Sequence, residues 1–218
     1  MIRLIVRAGV LILIGVFVAL GIWQLDRRAW KLDLIQRVEA RIAAPPVAPP
    51  TGAVTRDDEY TRIAVRGRYF QGRDTYVQAV TELGGGFWVL TPLDAGGGRI
   101  LINRGFVTPD RRGKMPPPEG PVAVTGLLRL SEPGGGFLRA NDPVGDRWYS
   151  RDVAAIASAR GLGTVAPWFL DAGANGARWP RGGLTVVQFR NQHLQYALTW
   201  FAMAALLAFL AWRVRGRG

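Results

Sequence analysis

Apolar positions gather into two long unbroken runs, one near each end of the chain, and alternate with polar positions in between. Ala8 to Leu25 pass eighteen positions without a charge, and Leu194 to Trp212 pass nineteen. At 1.5 Å rise per residue these runs reach roughly 27–29 Å, about the hydrocarbon thickness of a bilayer. Two transmembrane helices are predicted, forming a hairpin in lipid that presents everything from about Asp26 to His193 on one side. Arg3 and Arg7 precede the first run as in a signal peptide. That run is too long for a usual signal core, however, and Leu20-Gly21-Ile22-Trp23 is a poor cleavage site, so an uncleaved anchor is expected.

Beyond the first run the helical period continues. Leu25, Leu32 and Ile35 recur with Trp30, Leu34 and Val38 among charged positions, predicting an amphipathic helix to about Ile42. Pro45-Pro46 and Pro49-Pro50 end it and form a stiff linker. The period then changes to two. Thr61 to Phe70 alternates, and strand signals follow in Thr75 to Val80, Phe87 to Leu93, Arg99 to Val107, Val122 to Leu130 and Val165 to Leu170. The separators are rich in glycine or proline: Gly84 to Gly86, Gly96 to Gly98, and Met115 to Pro118. Asp152 to Arg160 reads as one short helix with Asp152 as its N-cap. The expected fold is an α+β membrane protein, with two transmembrane helices flanking a β-rich antiparallel sheet or partly closed barrel. Its segments are a first span with its tail (1–25), a helical extension and linker (26–51), the β-rich domain (52–192), a second span (193–212) and a basic tail (213–218).

Charge narrows the partners. Lysine plus arginine total 28 against 16 acids, and only Lys31 and Lys114 are lysine. The arginines are spread through strand-like segments rather than gathered in a stripe, which argues against nucleic acid. Arg3, Arg7, Arg213, Arg215 and Arg217 at the tails suit anionic membrane lipid. Arg27, Arg28 and Lys31 just inside the loop balance the N-terminal tail, so charge counting does not orient the first span.

Catalytic constellations are missing from the sequence. There is no cysteine, the only histidine is His193, and the three serines (Ser131, Ser150, Ser158) lack a nucleophile-elbow context. No ligand spacing for zinc occurs. Asp57-Asp58-Glu59 reads as a solvated turn before a strand, and neither glycine triplet opens a phosphate loop. A non-enzymatic role is expected.

That leaves His193. At 100° per residue it shares a stripe about 80° wide with Tyr196, Trp200, Met203 and Leu207. Such a face could hold a flat apolar cofactor, but its default reading is packing against a neighbouring helix, the usual work of an aromatic stripe. Ala204 and Ala208 form a small-xxx-small pair, with Gly15 and Ala19 as their expected counterpart in the first span. If a haem sat on His193, Met203 would lie roughly 15 Å along the helix, too far to be its second axial ligand. Weak, incomplete ligation suits temporary holding.

The residues at the two membrane junctions carry a further pattern. Gly21-Ile22-Trp23-Gln24-Leu25, then Arg27-Arg28-Ala29-Trp30-Lys31 and Leu34-Ile35, resembles the signature that follows the first span in the surfeit locus protein one family. The resemblance continues through Ile102 to Val107, Asn141-Asp142-Pro143, Trp148 and Arg151-Asp152, and closes with Asn191 to Phe201. Phe106 departs from it, standing where the family commonly shows tryptophan. The resemblance implies an assembly factor for haem-copper cytochrome c oxidase, working on subunit I beside haem a synthase and binding haem a in bacterial members. It implies a multi-pass protein of the bacterial inner membrane, or its mitochondrial equivalent, with both termini cytoplasmic and the domain periplasmic. His193 stands at the family's proposed haem-ligand position, with Tyr196 and Trp200 on its stripe. Arg104 is a candidate partner for a haem propionate, its plainer role being a strand-end surface charge. Trp23, Arg27, Arg28, Trp30 and Lys31 are candidates for a partner surface or an interfacial anchor. The alternative function is a membrane scaffold that stabilises a subunit I intermediate without touching haem.

Overall fold

The computed structural model describes residues 1–136, 139–185, 189 and 191–215; Arg217, counted above in the basic tail, lies outside them. The chain forms two compact units, Met1–Glu39 with Val187–Gly218, and Ala40–Val186.

The first unit is helical. Helix α1 runs unbroken over Ile2–Ala43, joining the first span and the expected helical extension in one element; Pro45, which lacks an N–H and disfavours helix in the residue before it, ends it. The other helix of this unit, at the far end of the chain, spans His193–Arg215. Both are long and apolar enough to cross a membrane. In α1 a row of sheltered positions runs 10, 14, 17, 21, 24, 28, 31, 35 and 38 in alternating steps of four and three, with Leu20, Leu34, Arg41 and Ile42 also sheltered. In the C-terminal helix a matching row runs 193, 197, 200, 204 and 207, with Phe201 and Met203 sheltered beside it. A period of 3.5 is the mark of a coiled-coil-like seam. Gln24 lies beside His193 and Phe17 beside Trp200, so the helices are antiparallel along it.

The second unit is a barrel. Its strands are β1 (Arg62–Tyr69), β2 (Thr75–Thr81), β3 (Gly84–Asp94), β4 (Arg99–Val107), β5 (Pro121–Leu130) and β6 (Val165–Ala172), with the short helix α2 (Val153–Ala159) before β6; the C-terminal helix is therefore α3. Five strands close in the order β1-β5-β6-β4-β3 and back to β1, while β2 hangs on the outer edge of β3. Asp152 caps α2 as expected, its carboxylate accepting from the Ala155 N–H. Two features differ from the sequence reading. Gly84 to Gly86 belong to β3, opposite Thr81, Val80 and Ala79, so only Glu82 and Leu83 form the turn; a ladder needs backbone, not side chains. The sheet is also not wholly antiparallel, since β4 and β6 run parallel with Leu101 opposite Phe169 and Asn103 opposite Asp171. The connection through β5 and α2 supplies the long crossover that a parallel pair requires.

Alternation along the strands sorts the core into two layers. Ile63, Val65, Leu93, Ile100, Ile102, Leu128, Trp168 and Leu170 fill the barrel. Leu101 and Phe169 point the other way and pack with Val77, Leu90 and Trp148 under Val153 and Ile156 of α2. Strand β4 is thus buried on both faces. Closure rests on two residue pairs, Arg68 opposite Asp94 and Tyr69 opposite Leu93. Gly67 permits it, because a β-carbon there would strike the Asp94 backbone. The segment after α1 is tied to this unit through Val47, which bonds on both sides of Ile63 to the Arg62 carbonyl and the Ala64 N–H.

Candidate functional site

In the seam of the helical unit one layer is polar. His193, the first residue of α3, lies with its Nδ1 2.7 Å from the carboxamide oxygen Oε1 of Gln24. The next layer pairs Gly21 with Ala197 and Phe201; Ala197 is buried, and a β-carbon at Gly21 would strike the Phe201 ring. The layer beyond sets Phe17 against Trp200 with ring centroids 5.7 Å apart. The ring of His193 is therefore held by one side chain at the open end of an apolar zipper. Gln24 had no role assigned from sequence beyond its place in the junction motif. A signal for it was present, since it is the only polar carboxamide or hydroxyl residue in the run Ala8 to Leu25.

The predicted stripe on α3 divides. His193, Trp200, Met203 and Leu207 are half-buried, whereas Tyr196 turns outward and is 53% exposed. Trp200 is occupied by Phe17, so this part of the stripe packs. The small-residue seam is also corrected. Gly15, Ala19 and Ala208 are exposed; the close approach falls at Gly21 against Phe201, and the buried alanines of α3 are Ala197 and Ala204. The 3.5-residue seam selects these positions, and Gly15 and Ala19 lie off it. The five junction residues likewise occupy two faces. Trp23, Arg27 and Trp30 form an exposed ridge, with the Arg27 guanidinium 4.0 Å from the Trp30 ring centre. Arg28 and Lys31 lie on the seam face, and the Lys31 ammonium sits 5.3 Å from the Phe189 ring.

Arg104 is placed in the barrel unit, inside β4, and is no surface charge: it is 8% exposed. The strand alternation that predicted β4 turns Arg104 under the loop after it. There its guanidinium donates to the Met115 and Pro116 carbonyls at 3.0 and 2.9 Å, and pairs with Asp74 at 3.6 Å. Burial lowers its pKa, with Asp74 opposing, and burial pushes the neighbouring Tyr69 hydroxyl up to about 12. These bonds fasten the proline-rich loop to the barrel.

A second polar cluster in the barrel unit went unseen in the sequence. Asp171, 3% exposed, accepts from Asn103 at 2.8 Å, Arg129 at 3.0 Å, Arg151 at 3.2 Å and Thr185 at 3.0 Å. Arg129 also bonds Glu59, and Arg151 grips Glu132. Glu59 is thus part of an ion-pair network, not of a solvated turn. Arg129 and Arg151 reach the floor of a cavity of about 430 Å³ beside Trp88 and Thr185, where both guanidiniums are already paired with carboxylates. Burial works against the charge of Glu132, yet the Arg151 bonds outweigh it and hold its pKa below the ordinary range. Asn103 and Arg104 lie in the Ile102 to Val107 motif and Arg151 in the Arg151-Asp152 one, so these motifs build the barrel, whereas the junction motifs build the histidine layer.

A five-stranded barrel in one unit and, in the other, a pair of long apolar helices with one ring nitrogen held in their seam define a two-helix membrane protein. The SURF1 family model matches residues 11–205. The chain is 35% identical to surfeit locus protein 1 of Homo sapiens over 225 residues, covering 91% of this chain and 74% of that protein. It is 34% identical to the Rattus norvegicus protein of that name, covering 89% and 70%, and 34% identical to a SURF1-like protein of Monosiga brevicollis, covering 86% and 78%. The chain belongs to the SURF1 family.

Proposed function

We propose that this chain is a non-enzymatic assembly factor for haem-copper cytochrome c oxidase, holding haem a through His193 on its way into subunit I. Membership of the SURF1 family supports the assembly role. The observation that carries the haem reading is the placement of the chain's single histidine, half-exposed at the first residue of α3 and with its ring fixed from one side by Gln24. An imidazole so held fits haem iron, which takes a neutral ring nitrogen as axial ligand. Haem a there would be cargo, its iron supplying the bond by which it is carried. Met203 lies ten residues along the same helix, about 15 Å away, so α3 offers the iron no methionine opposite His193. Single-sided ligation favours release. Tyr196, one turn from His193 and turned outward, offers an apolar edge to a porphyrin, and Trp200 stiffens the layer behind. Arg104 is committed to its own loop, so the reading rests on His193. The natural setting is a bacterial inner membrane with both termini cytoplasmic and the barrel periplasmic, beside haem a synthase, and the exposed Trp23, Arg27 and Trp30 ridge suits the lipid interface there.

The test is co-expression with haem a synthesis, purification and an absorption spectrum. A haem spectrum is expected from the native chain and its loss from His193→Ala. An unchanged spectrum in the variant sinks the ligand assignment. A native chain that carries no haem favours a scaffold holding subunit I.

A further inference from the structure

We propose that Gln24 is a positioning residue that fixes the tautomer of His193, keeping the proton on Nδ1 and leaving Nε2 with a free lone pair directed to a ligand. The inference deepens the haem reading and rests on it for the identity of that ligand.

A carboxamide oxygen only accepts hydrogen bonds, so the 2.7 Å contact between Oε1 of Gln24 and Nδ1 of His193 requires a proton on Nδ1. A neutral imidazole carries one ring proton, and Nε2 is then bare. In water the free side chain prefers the opposite tautomer. A ring meant to present Nε2 to a metal therefore gains from a fixed acceptor behind it, as outer partners of ligating histidines generally provide. The surroundings add weight to this single bond. Gln24 and His193 each occupy a seam position, three residues after Gly21 and four before Ala197, so packing of the neighbouring layers sets both backbones. The adjoining layers, Gly21 with Phe201 and Phe17 with Trp200, are apolar, and a hydrogen bond counts for more beside them than in water. The residue type also suits the task. A glutamate here would add a charge to the seam, whereas a carboxamide accepts without ionising.

The chain contains one histidine, so ¹⁵N-histidine labelling of the full-length protein in detergent, free of haem, gives one pair of ring signals. In mildly alkaline buffer, Nδ1 is expected as the protonated, pyrrole-type nitrogen and Nε2 as the pyridine-type one. Gln24→Leu is expected to shift the pair toward the Nε2–H form, and Gln24→Glu, which keeps an acceptor oxygen, to retain Nδ1–H. Titration with ferric haem followed by the Soret band is the second arm. Gln24→Leu should weaken binding by about 10–100-fold, as lost outer partners of metal ligands do, with Gln24→Glu recovering most of it. A native protein already in the Nε2–H form overturns the proposal whatever the haem result. So does a Gln24→Leu variant with unchanged ring signals. A native protein that shows Nδ1–H but takes up no haem overturns the haem reading instead and leaves the hold of Gln24 on the ring standing.

Discussion

The two units use polar side chains in opposite ways. In the barrel, Asp171 is surrounded by Asn103, Arg129, Arg151 and Thr185, and both arginines are bonded again to glutamates. Its polar groups are mutually satisfied and mechanical. In the helical hairpin, the Gln24 and His193 layer is a single contact, one ring nitrogen against one carboxamide oxygen. The buried charges around Asp171 are paired with one another, while the polar contact of the hairpin is a carboxamide against a single imidazole.

Removing a member of each set is the sharpest way to break that contrast. Asp171→Ala leaves two arginines facing a low-dielectric gap and is expected to cost about 3–5 kcal/mol, read as a large drop in thermal midpoint of the full chain in detergent. His193→Ala should change the same midpoint little while abolishing haem. Equal losses from the two would erase the distinction. Arg104→Gln comes next, because charge-assisted bonds to the Met115 and Pro116 carbonyls contribute about 1.5–3 kcal/mol. Its haem spectrum is expected to match that of the native chain, and a lost spectrum with an unchanged melting point would return Arg104 to the cofactor. Gly21→Leu tests the hairpin itself. Driving a side chain into the Phe201 ring costs about 1–3 kcal/mol by overpacking, more than the roughly 1 kcal/mol gained by removing glycine from a helix. With no native cysteine to interfere, Phe17→Cys with Trp200→Cys, joined by a short bis-thiol reagent, should cross-link less well when Gly21→Leu is added.

The smallest effect expected is acid sensitivity of the barrel. Glu132 is held below the ordinary carboxylate range in the folded chain, so the unfolded chain binds that proton more readily. Its contribution is complete above the unfolded value of about 4.3 and is lost as pH falls through the lower folded one. Glu132→Gln should lower stability at neutral pH and flatten the fall between about pH 5 and pH 3, measured as melting midpoints across that range.

Local signals carried most of the elements. The charge-free runs marked the spans, the two-residue alternation marked all six strands, and Asp152 marked the start of α2. Closure was not legible, because pairing Arg68 with Asp94 or Leu101 with Phe169 joins residues far apart along the chain, and no local period encodes a partner. The Asp171 network was hidden for a related reason. Arg129 lies between Leu128 and Leu130 in an alternating strand, and alternation normally turns such a residue to solvent; only the neighbouring strand reveals that it meets Asp171. The histidine layer was half legible. Its imidazole stood out by rarity, while Gln24 was visible only as a polar interruption of an apolar run, and its pairing across 169 residues required the fold.

The length of α1 gives the molecule a mechanical property. From Gln24, level with the first residue of α3, the helix continues without a break to Ala43, a stiff rod of roughly 28 Å beyond the hairpin. Such a rod converts angle into distance. Rocking α1 by about 10°, well inside the spread of tilts that membrane helices adopt, swings its far end by roughly 5 Å, close to one helical turn. Bilayer thickness and neighbouring spans set the tilt of such a helix, so a change in that tilt would be read as displacement at its far end.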